Sequence, residues 1–514
     1  MSKTIIIIGA GLAGLSAALQ AAENGCNVKL VSSLPSERAQ SVMAEGGINA
    51  ALNTKDENDS PEEHFTDTIK AACGLADPNA VWGMTQAAPE LVHWLLKLGV
   101  KFNMSGYDDV DLRNFGGQKK KRTAFAQSDT GKQIMTAMID AVRRKEASGM
   151  VERVSHHSFL TLSLCGNICC GCVIRDEYSQ ETVELPGDAV IVATGGMHGL
   201  FGNTTGSLSN TGEVTAELFR LGVPLANGEM IQYHPTTVKC GGKRMLISEA
   251  ARGEGGRLFA MKDGKQWYFM EEKYPELGNL MPRDITAREI WKVSHESEVF
   301  LDMTEISEEI ISNKLSGLAD DCMTYLHKDI RKEPVSVLPG IHYFMGGILV
   351  DEQHRTPIQN LCAAGECCAQ YHGANRLGGN SLLGALYGGR VAAKSACEQA
   401  DVVDLSCATQ IDFPPASQIS EIKQLNKVMQ ETMGVVRNEN MLLNGIKTVQ
   451  ALTGNLPLLG MAVLKSALAR KESRGAHWRE DYPKSNDDDY LKTTVARFDG
   501  KQIQISFVPV PERR

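Results

Sequence analysis

Residues 3–25 read "KTIIIIGAGLAGLSAALQAAENG". Ile5 to Ile8 form an unbroken apolar run, the pattern of a parallel strand buried on both faces. Gly9, Gly11 and Gly14 follow in G-x-G-x-x-G spacing. The first allows a tight turn, the second lets a pyrophosphate approach bare backbone, and the third brings helix and strand into close contact. "LSAALQAAENG" then reads as a helix whose N-terminus offers free N–H groups and a positive dipole to phosphate. "NVKLVSS" (27–33) closes a βαβ unit. The glycine spacing alone is a weak signal; strand, helix and second strand around it make a dinucleotide site. Ser32 stands where an acidic ribose ligand is usual, which disfavours NAD and leaves the ribose to a neutral hydroxyl or to other groups.

Two later stretches extend the same sheet. "DAVIVATGG" (188–196) is a second buried strand running into Thr194 and Gly195, and "NLCAAGE" (360–366) is a third, ending in Gly365 and Glu366. With nucleotide-binding pieces at 5–52, 188–196 and 360–390, a domain has to be inserted between the last two. Residues 240–335 are richer in charge and show helical periodicity in "RDITAREIWKV" and "EEIISNKLSGLADDCM". Beyond Arg390, residues 418–437 and 440–475 read as amphipathic helices. The expected fold is α/β: a Rossmann-like FAD-binding domain in two parts (1–236 and 339–395), an inserted α+β capping domain (237–338), and a C-terminal helical domain and tail (396–514).

The charge balance is 53 basic against 62 acidic residues, net −9, which disfavours a nucleic-acid partner bound by bulk electrostatics. No secretory signal is read at the N-terminus, and no uncharged stretch reaches the ~20 residues of a membrane span. The expectation is a cytoplasmic protein that meets a membrane only through a partner. Its 13 cysteines read as reduced thiols. Cys165, Cys169, Cys170 and Cys172 in "LCGNICCGCVI" read as core filler around a Gly-Asn hairpin turn, with no metal and no haem site.

A second informative stretch is "HGANRLGGNSLLGAL" (372–386), where Arg376 stands on a floor of glycine, alanine and asparagine. Such an arginine suits an anionic ligand lying flat on bare backbone. Together with "AEGGINAAL", "FGGQ", "QYHPT", "SEAARGEGG", "PRD", "IHYFMGG", "AAGE" and "RKESRGAHWREDYP", it resembles the flavoprotein subunits of fumarate reductase and succinate dehydrogenase, in the family's order from residue 4 to about 492. L-aspartate oxidase belongs to the same superfamily.

The resemblance implies FAD held by Gly9, Gly11, Gly14, Ser32, Gln40, Ser41, Gly46, Gly47, Thr194, Gly195, Glu366, Asn380, Ser381 and Leu382. It implies a dicarboxylate between flavin and cap, bound by His234, Ser248, His342, Arg376 and Gln118, with Arg283 delivering a proton relayed through Glu249 and Arg252. The chemistry agrees: reducing a C=C flanked by carboxylates needs a hydride at one carbon, a proton at the other, and cations to hold both carboxylates. Plainer readings exist for each residue. Glu249 and Arg252 are spaced as an ordinary i, i+3 ion pair, Asp284 is a good helix N-cap, and His234 and His342 suit loop and core positions.

Three departures from the family matter. Ala39-Gln40-Ser41 stands where covalent members carry Ser-His-Thr, so FAD is expected to be non-covalent and the balance to tilt toward fumarate reduction. Ser248 replaces a threonine and keeps a hydroxyl. The helical region between Arg390 and "ESRGAH" is shorter than in the respiratory enzymes. The runner-up activities are L-aspartate oxidase and a reductase of another enoate, although "NFGGQKKKR", with Phe115 and Gln118, follows the fumarate/succinate branch. The one glycine fingerprint is assigned to FAD, so electrons are expected from a separate iron–sulfur subunit.

Overall fold

The computed structural model describes residues 2–107, 109–399, 413 and 418–514. Its nucleotide-binding sheet has five parallel strands in the order Leu361–Ala363, β4 (Ala189–Val192), β1 (Thr4–Ile8), β2 (Asn27–Ser32) and β3 (Val151–Ser155). Ile5 pairs with Ala189 on one side and Val28 on the other, so the apolar run lies at the centre of the sheet. Ile5, Ile6 and Ile7 are fully buried. Helix α1 (Leu12–Glu23) follows β1. Its glycines are there for contact: a Cβ on Gly14 would lie 1.9 Å from Gly9 O, and one on Gly9, at φ +107°, would lie 2.3 Å from Ala193 O.

The inserted region rests on a second sheet of β5 (Ile231–Cys240), β6 (Lys243–Leu246) and β7 (Leu338–Phe344), in the order β6-β5-β7. β5 and β7 run across the boundaries expected at 236/237 and 338/339, so a continuous sheet joins the cap to the nucleotide domain. A four-stranded antiparallel sheet of residues 257–262, 265–267, 299–302 and 335–336 forms the cap itself. Its Leu258 and Leu301 pack on Phe269, Ile290 and Leu318. The short helix α2 (Glu249–Gly253) follows β6, and the helix α3 (Arg283–Val293) packs against β5 and β7. Pro282 occupies the N-cap position of α3, and Asp284 accepts a hydrogen bond from Asn375 Nδ2 instead of capping the helix. Helix α4 (Asn380–Gln399) continues past the expected 395/396 boundary. Its Gly389 is bare because a Cβ there would lie 2.3 Å from Ala13 O on α1.

The C-terminal region is not helical throughout. Helices Ile419–Thr432, Glu439–Val449 and Asn455–Ala469 are present as the periodicity predicts. The chain then ends in an antiparallel hairpin, Lys492–Phe498 with Ile503–Pro509, which pairs with Leu225–Ala226 of the nucleotide domain. The period-2 alternation of "TTVARF" and "IQISFV" around Asp499-Gly500 is a hairpin signal that the helical reading passed over. Arg470, fully buried, fixes this hairpin: Nε donates to Glu229 Oε1 at 2.7 Å, Nη1 to Glu472 Oε1 at 2.8 Å, and Nη2 to Lys492 O and Thr494 Oγ1, each at 2.7 Å.

Residues 157–165 and 168–176 form the expected hairpin, with Cys169 and Cys172 in its core. Among the described residues no helix is long and apolar enough to cross a membrane.

Candidate active site

A cavity of about 890 Å³ opens at the C-terminal edge of the parallel strands and runs under the cap. That is where open α/β sheets place ligands. Gly9, Gly11, Ser32, Gln40, Ser41, Gly46, Gly47, Thr194, Gly195, Glu366, Ser381 and Leu382 all line it. Ser41 Oγ meets the first free N–H of α1, on Leu12, at 3.3 Å. Gln40 Oε1 accepts the Ser207 N–H at 2.6 Å. Gly14 and Asn380 stand one layer behind the wall. Gly14 packs on Gly9, and Asn380 Oδ1 accepts from Asn49 Nδ2 at 2.7 Å while its Nδ2 donates to Thr68 Oγ1. Long, bordered by bare backbone, and faced by a helix N-terminus, this part of the cavity fits FAD.

The other part gathers the charged residues. Glu249, Ser248, Arg283, His234, His342 and Arg376 line it together, although they come from five separate stretches of chain. Glu249 Oε2 accepts from Arg283 Nε at 2.8 Å and lies 2.6 Å from Arg283 Nη2. Its Oε1 accepts the Gly116 N–H at 3.0 Å and lies 3.5 Å from Arg252 Nη2. The flavin floor is adjacent: a Cβ on Gly378 would lie 2.9 Å from Glu249 Oε2. Arg252 sits behind the wall with Nη1 on Asn279 O at 2.7 Å, and Ser248 caps α2 by accepting the Ala250 N–H.

Arg376 stacks on the ring of Tyr343, 4.4 Å from its centroid, and its buried Nε has no hydrogen-bond partner. Among the described residues no carboxylate forms an ion pair with it. The buried His234 Nε2 is also unpartnered, whereas His342 Nδ1 is hydrogen-bonded to Thr205 Oγ1 at 2.8 Å. A cavity holding an unpaired guanidinium and an unpaired imidazole nitrogen is prepared for an anionic guest.

Electrostatics refine the roles. Burial pushes the Glu249 carboxyl up, but the charges of Arg283 and Arg252 and the hydrogen bonds from Arg283 and the Gly116 N–H outweigh it and hold it below the usual carboxylate range. Burial lowers Arg376 to about 9, with Arg283 adding repulsion. The two histidines expected among the carboxylate ligands are not cations. Burial first, then the nearby arginines, push both imidazoles well below their ordinary 6.5, so they are neutral.

Gln118 does not line the cavity. Its Nε2 donates to Asn49 Oδ1 at 3.1 Å and Gly378 O at 2.9 Å. Three contributors went unread in the sequence. Gln232, fully buried, accepts from Arg283 Nη1 at 3.1 Å and donates to Arg376 O at 2.8 Å, bridging the two arginines. Thr205 holds His342, and Asn49 braces the glycine floor. Gln232 and Asn49 lie inside the quoted motifs "QYHPT" and "AEGGINAAL", which was the available signal.

Such a sheet, cavity and charge set define an FAD-dependent oxidoreductase. A family model described as an FAD binding domain matches residues 4–382, and one described as the fumarate reductase flavoprotein C-term matches residues 452–513. The chain is 38% identical to the succinate dehydrogenase flavoprotein subunit of Bacillus subtilis (strain 168), covering 100% of this chain and 98% of that one. It is 32% identical to the 8-methylmenaquinol:fumarate reductase flavoprotein subunit of Wolinella succinogenes, over 100% and 92% of the two chains. Its structure aligns with the FrdA chain of E. coli quinol fumarate reductase at a TM-score of 0.90 and 27% identity, over 99% and 97%. The chain belongs to the family of succinate dehydrogenase and fumarate reductase flavoprotein subunits, FAD-dependent oxidoreductases acting on the CH–CH group of succinate. The matches favour this branch over L-aspartate oxidase.

Neutral buried histidines make the fold acid-sensitive. His64 is lowered to about 3 and His354 to about 4, and His234, His342, His372 and His477 fall well below 6.5, burial being the main cause each time. Because the unfolded chain binds these protons first, stability is intact above about pH 6.5 and declines below it, by roughly 1–2 kcal/mol per histidine at about pH 5. Thermal midpoints measured from about pH 7.5 down to about pH 5 should therefore fall steeply. A flat profile would contradict the neutral assignment.

Proposed function

We propose that this subunit works as a fumarate reductase with non-covalently bound FAD, with Arg283 as the proton donor. The observation that carries the reading is the buried Arg283–Glu249 pair, set against the glycine floor and facing the unpaired Arg376. Bound FAD would supply the hydride. His342 and Arg376 would hold one carboxylate, and His234 with Ser248 the other; neutral imidazoles donate a hydrogen bond without adding repulsion to the arginines.

The proton economy follows from the electrostatics. Arg283 is oriented by Glu249 and by Gln232, so its planar fork is fixed toward the cavity. Once it gives its proton to the substrate carbon, the largest influence lowering Glu249 disappears. Burial then drives Glu249 to take up a proton and return it to Arg283, with Arg252, 3.5 Å behind, as the next relay toward solvent. Replacing Arg283 by Lys should leave FAD bound while cutting turnover about 10²–10³-fold, the usual cost of losing a directed transition-state donor. Arg376→Ala should act mainly on KM. Near-normal turnover in Arg283→Lys would remove it as the acid.

Gln40 supports non-covalent attachment: an amide offers no nucleophilic ring nitrogen, and its Oε1 is already bonded to the Ser207 N–H. Acid precipitation should leave the yellow flavin in the supernatant, and flavin retained in the pellet would refute the assignment.

Electrons would come from a separate iron–sulfur subunit, through which a protein of the cytoplasm would reach a membrane. Support comes from the single glycine fingerprint, spent on FAD, and from relatives that are themselves named as subunits. Purified alone, the holoprotein should reduce fumarate with a low-potential dye and not with NADH or NADPH. Rapid turnover with either nicotinamide would overturn the partner requirement.

A further inference from the structure

We infer that Asn49 and Gln118 are positioning residues for the flavin, acting by turning the Gly379 N–H into the cavity as a fixed hydrogen-bond donor. Asn49 is fully buried and every polar atom of its side chain is engaged. Its Nδ2 donates to Gly378 O and Asn380 Oδ1, both at 2.7 Å, and its Oδ1 accepts from Thr123 Oγ1 at 2.6 Å and Gln118 Nε2 at 3.1 Å. Gln118 Nε2 also donates to Gly378 O, at 2.9 Å, so two amides grip one carbonyl from beneath the floor. The Asn49 N–H takes the next carbonyl, Gly379 O, at 3.1 Å.

The geometry of a trans peptide completes the argument. In the unit joining Gly378 to Gly379, carbonyl and N–H point in opposite directions. With Gly378 O held down, the Gly379 N–H points up, toward the cavity that Gly379 lines. That N–H makes no hydrogen bond among the described residues. Gly379 has φ +84°, and a Cβ there would lie 2.1 Å from Asn49 Oδ1, so only glycine seats on this brace. An unspent backbone donor at the flavin floor stabilises the electron-rich ring that reduction creates.

The inference rests on FAD occupying this cavity, and it moves Gln118 from the dicarboxylate to the cofactor. Its test uses holoprotein of the unaltered chain and of Gln118→Leu and Asn49→Asp. Asn49→Asp keeps the shape but replaces the gripping donor by an acceptor. The midpoint potential of the bound flavin should become more negative in both variants, with a shifted visible spectrum. FAD should dissociate about five- to tenfold more readily, as expected for one lost hydrogen bond. In Gln118→Leu the dissociation constant for fumarate, read from the flavin spectrum, should stay within about twofold of the unaltered protein. An unchanged potential and spectrum in both variants would overturn the inference. So would a large loss of fumarate affinity in Gln118→Leu with the flavin properties intact, which would return Gln118 to the substrate. If the unaltered holoprotein did not respond to fumarate at all, the proposed activity would fail, while the potential shift would still decide the role of the floor.

Discussion

The carboxylate of Glu249 is sealed from water, and a buried anion is tolerable only when its charge is met at close range. Here it is met by Arg283 at 2.6 Å, by the Gly116 N–H and, more distantly, by Arg252. One side chain thereby ties α2, α3 and the loop carrying Phe115 and Gly116 into a single electrostatic unit. The unit presses against Gly378, so that the buried ion pair and the glycine floor share a boundary. Any conformation that opened this contact would leave two arginines facing each other without a counter-charge.

The remaining charges are arranged by difference. Arg283 and Arg252 have their carboxylate; Arg376 has an aromatic face and a buried unpaired Nε. Neutral histidines stand beside them, since protonating either would add another cation to the three arginines. The site is under-neutralised at one position, Arg376, which no carboxylate pairs among the described residues. Beneath it, Asn49 and Gln118 hold backbone carbonyls down, which leaves a flat glycine surface facing the cavity.

Much of this could be read along the chain. The apolar run of β1, the glycine spacing and the returning strands place four of the five strands and a cofactor because their causes are local: side-chain period, bare backbone, helix dipole. The motifs around Glu249, Arg283 and Arg376 identified the chemical groups for the same reason. What escaped was relational. "TTVARF" and "IQISFV" were passed over because the neighbouring region is helical and the strand that receives them, Leu225–Ala226, lies far away in sequence. Gln118 was assigned to substrate because a motif names a residue without giving its direction.

Sequence alone therefore established the α/β class and the FAD-binding unit, since each depends on residue type and short-range spacing. Charge states, by contrast, came from the tertiary structure. Whether a histidine is a cation depends on how much water it loses and which arginines surround it, and neither is written locally. The same holds for the pairing of Glu249 with Arg283, 34 residues apart, and of Asn49 with Gly378, 329 residues apart. Packing brings together groups that the chain keeps apart, and desolvation there fixes where each proton resides.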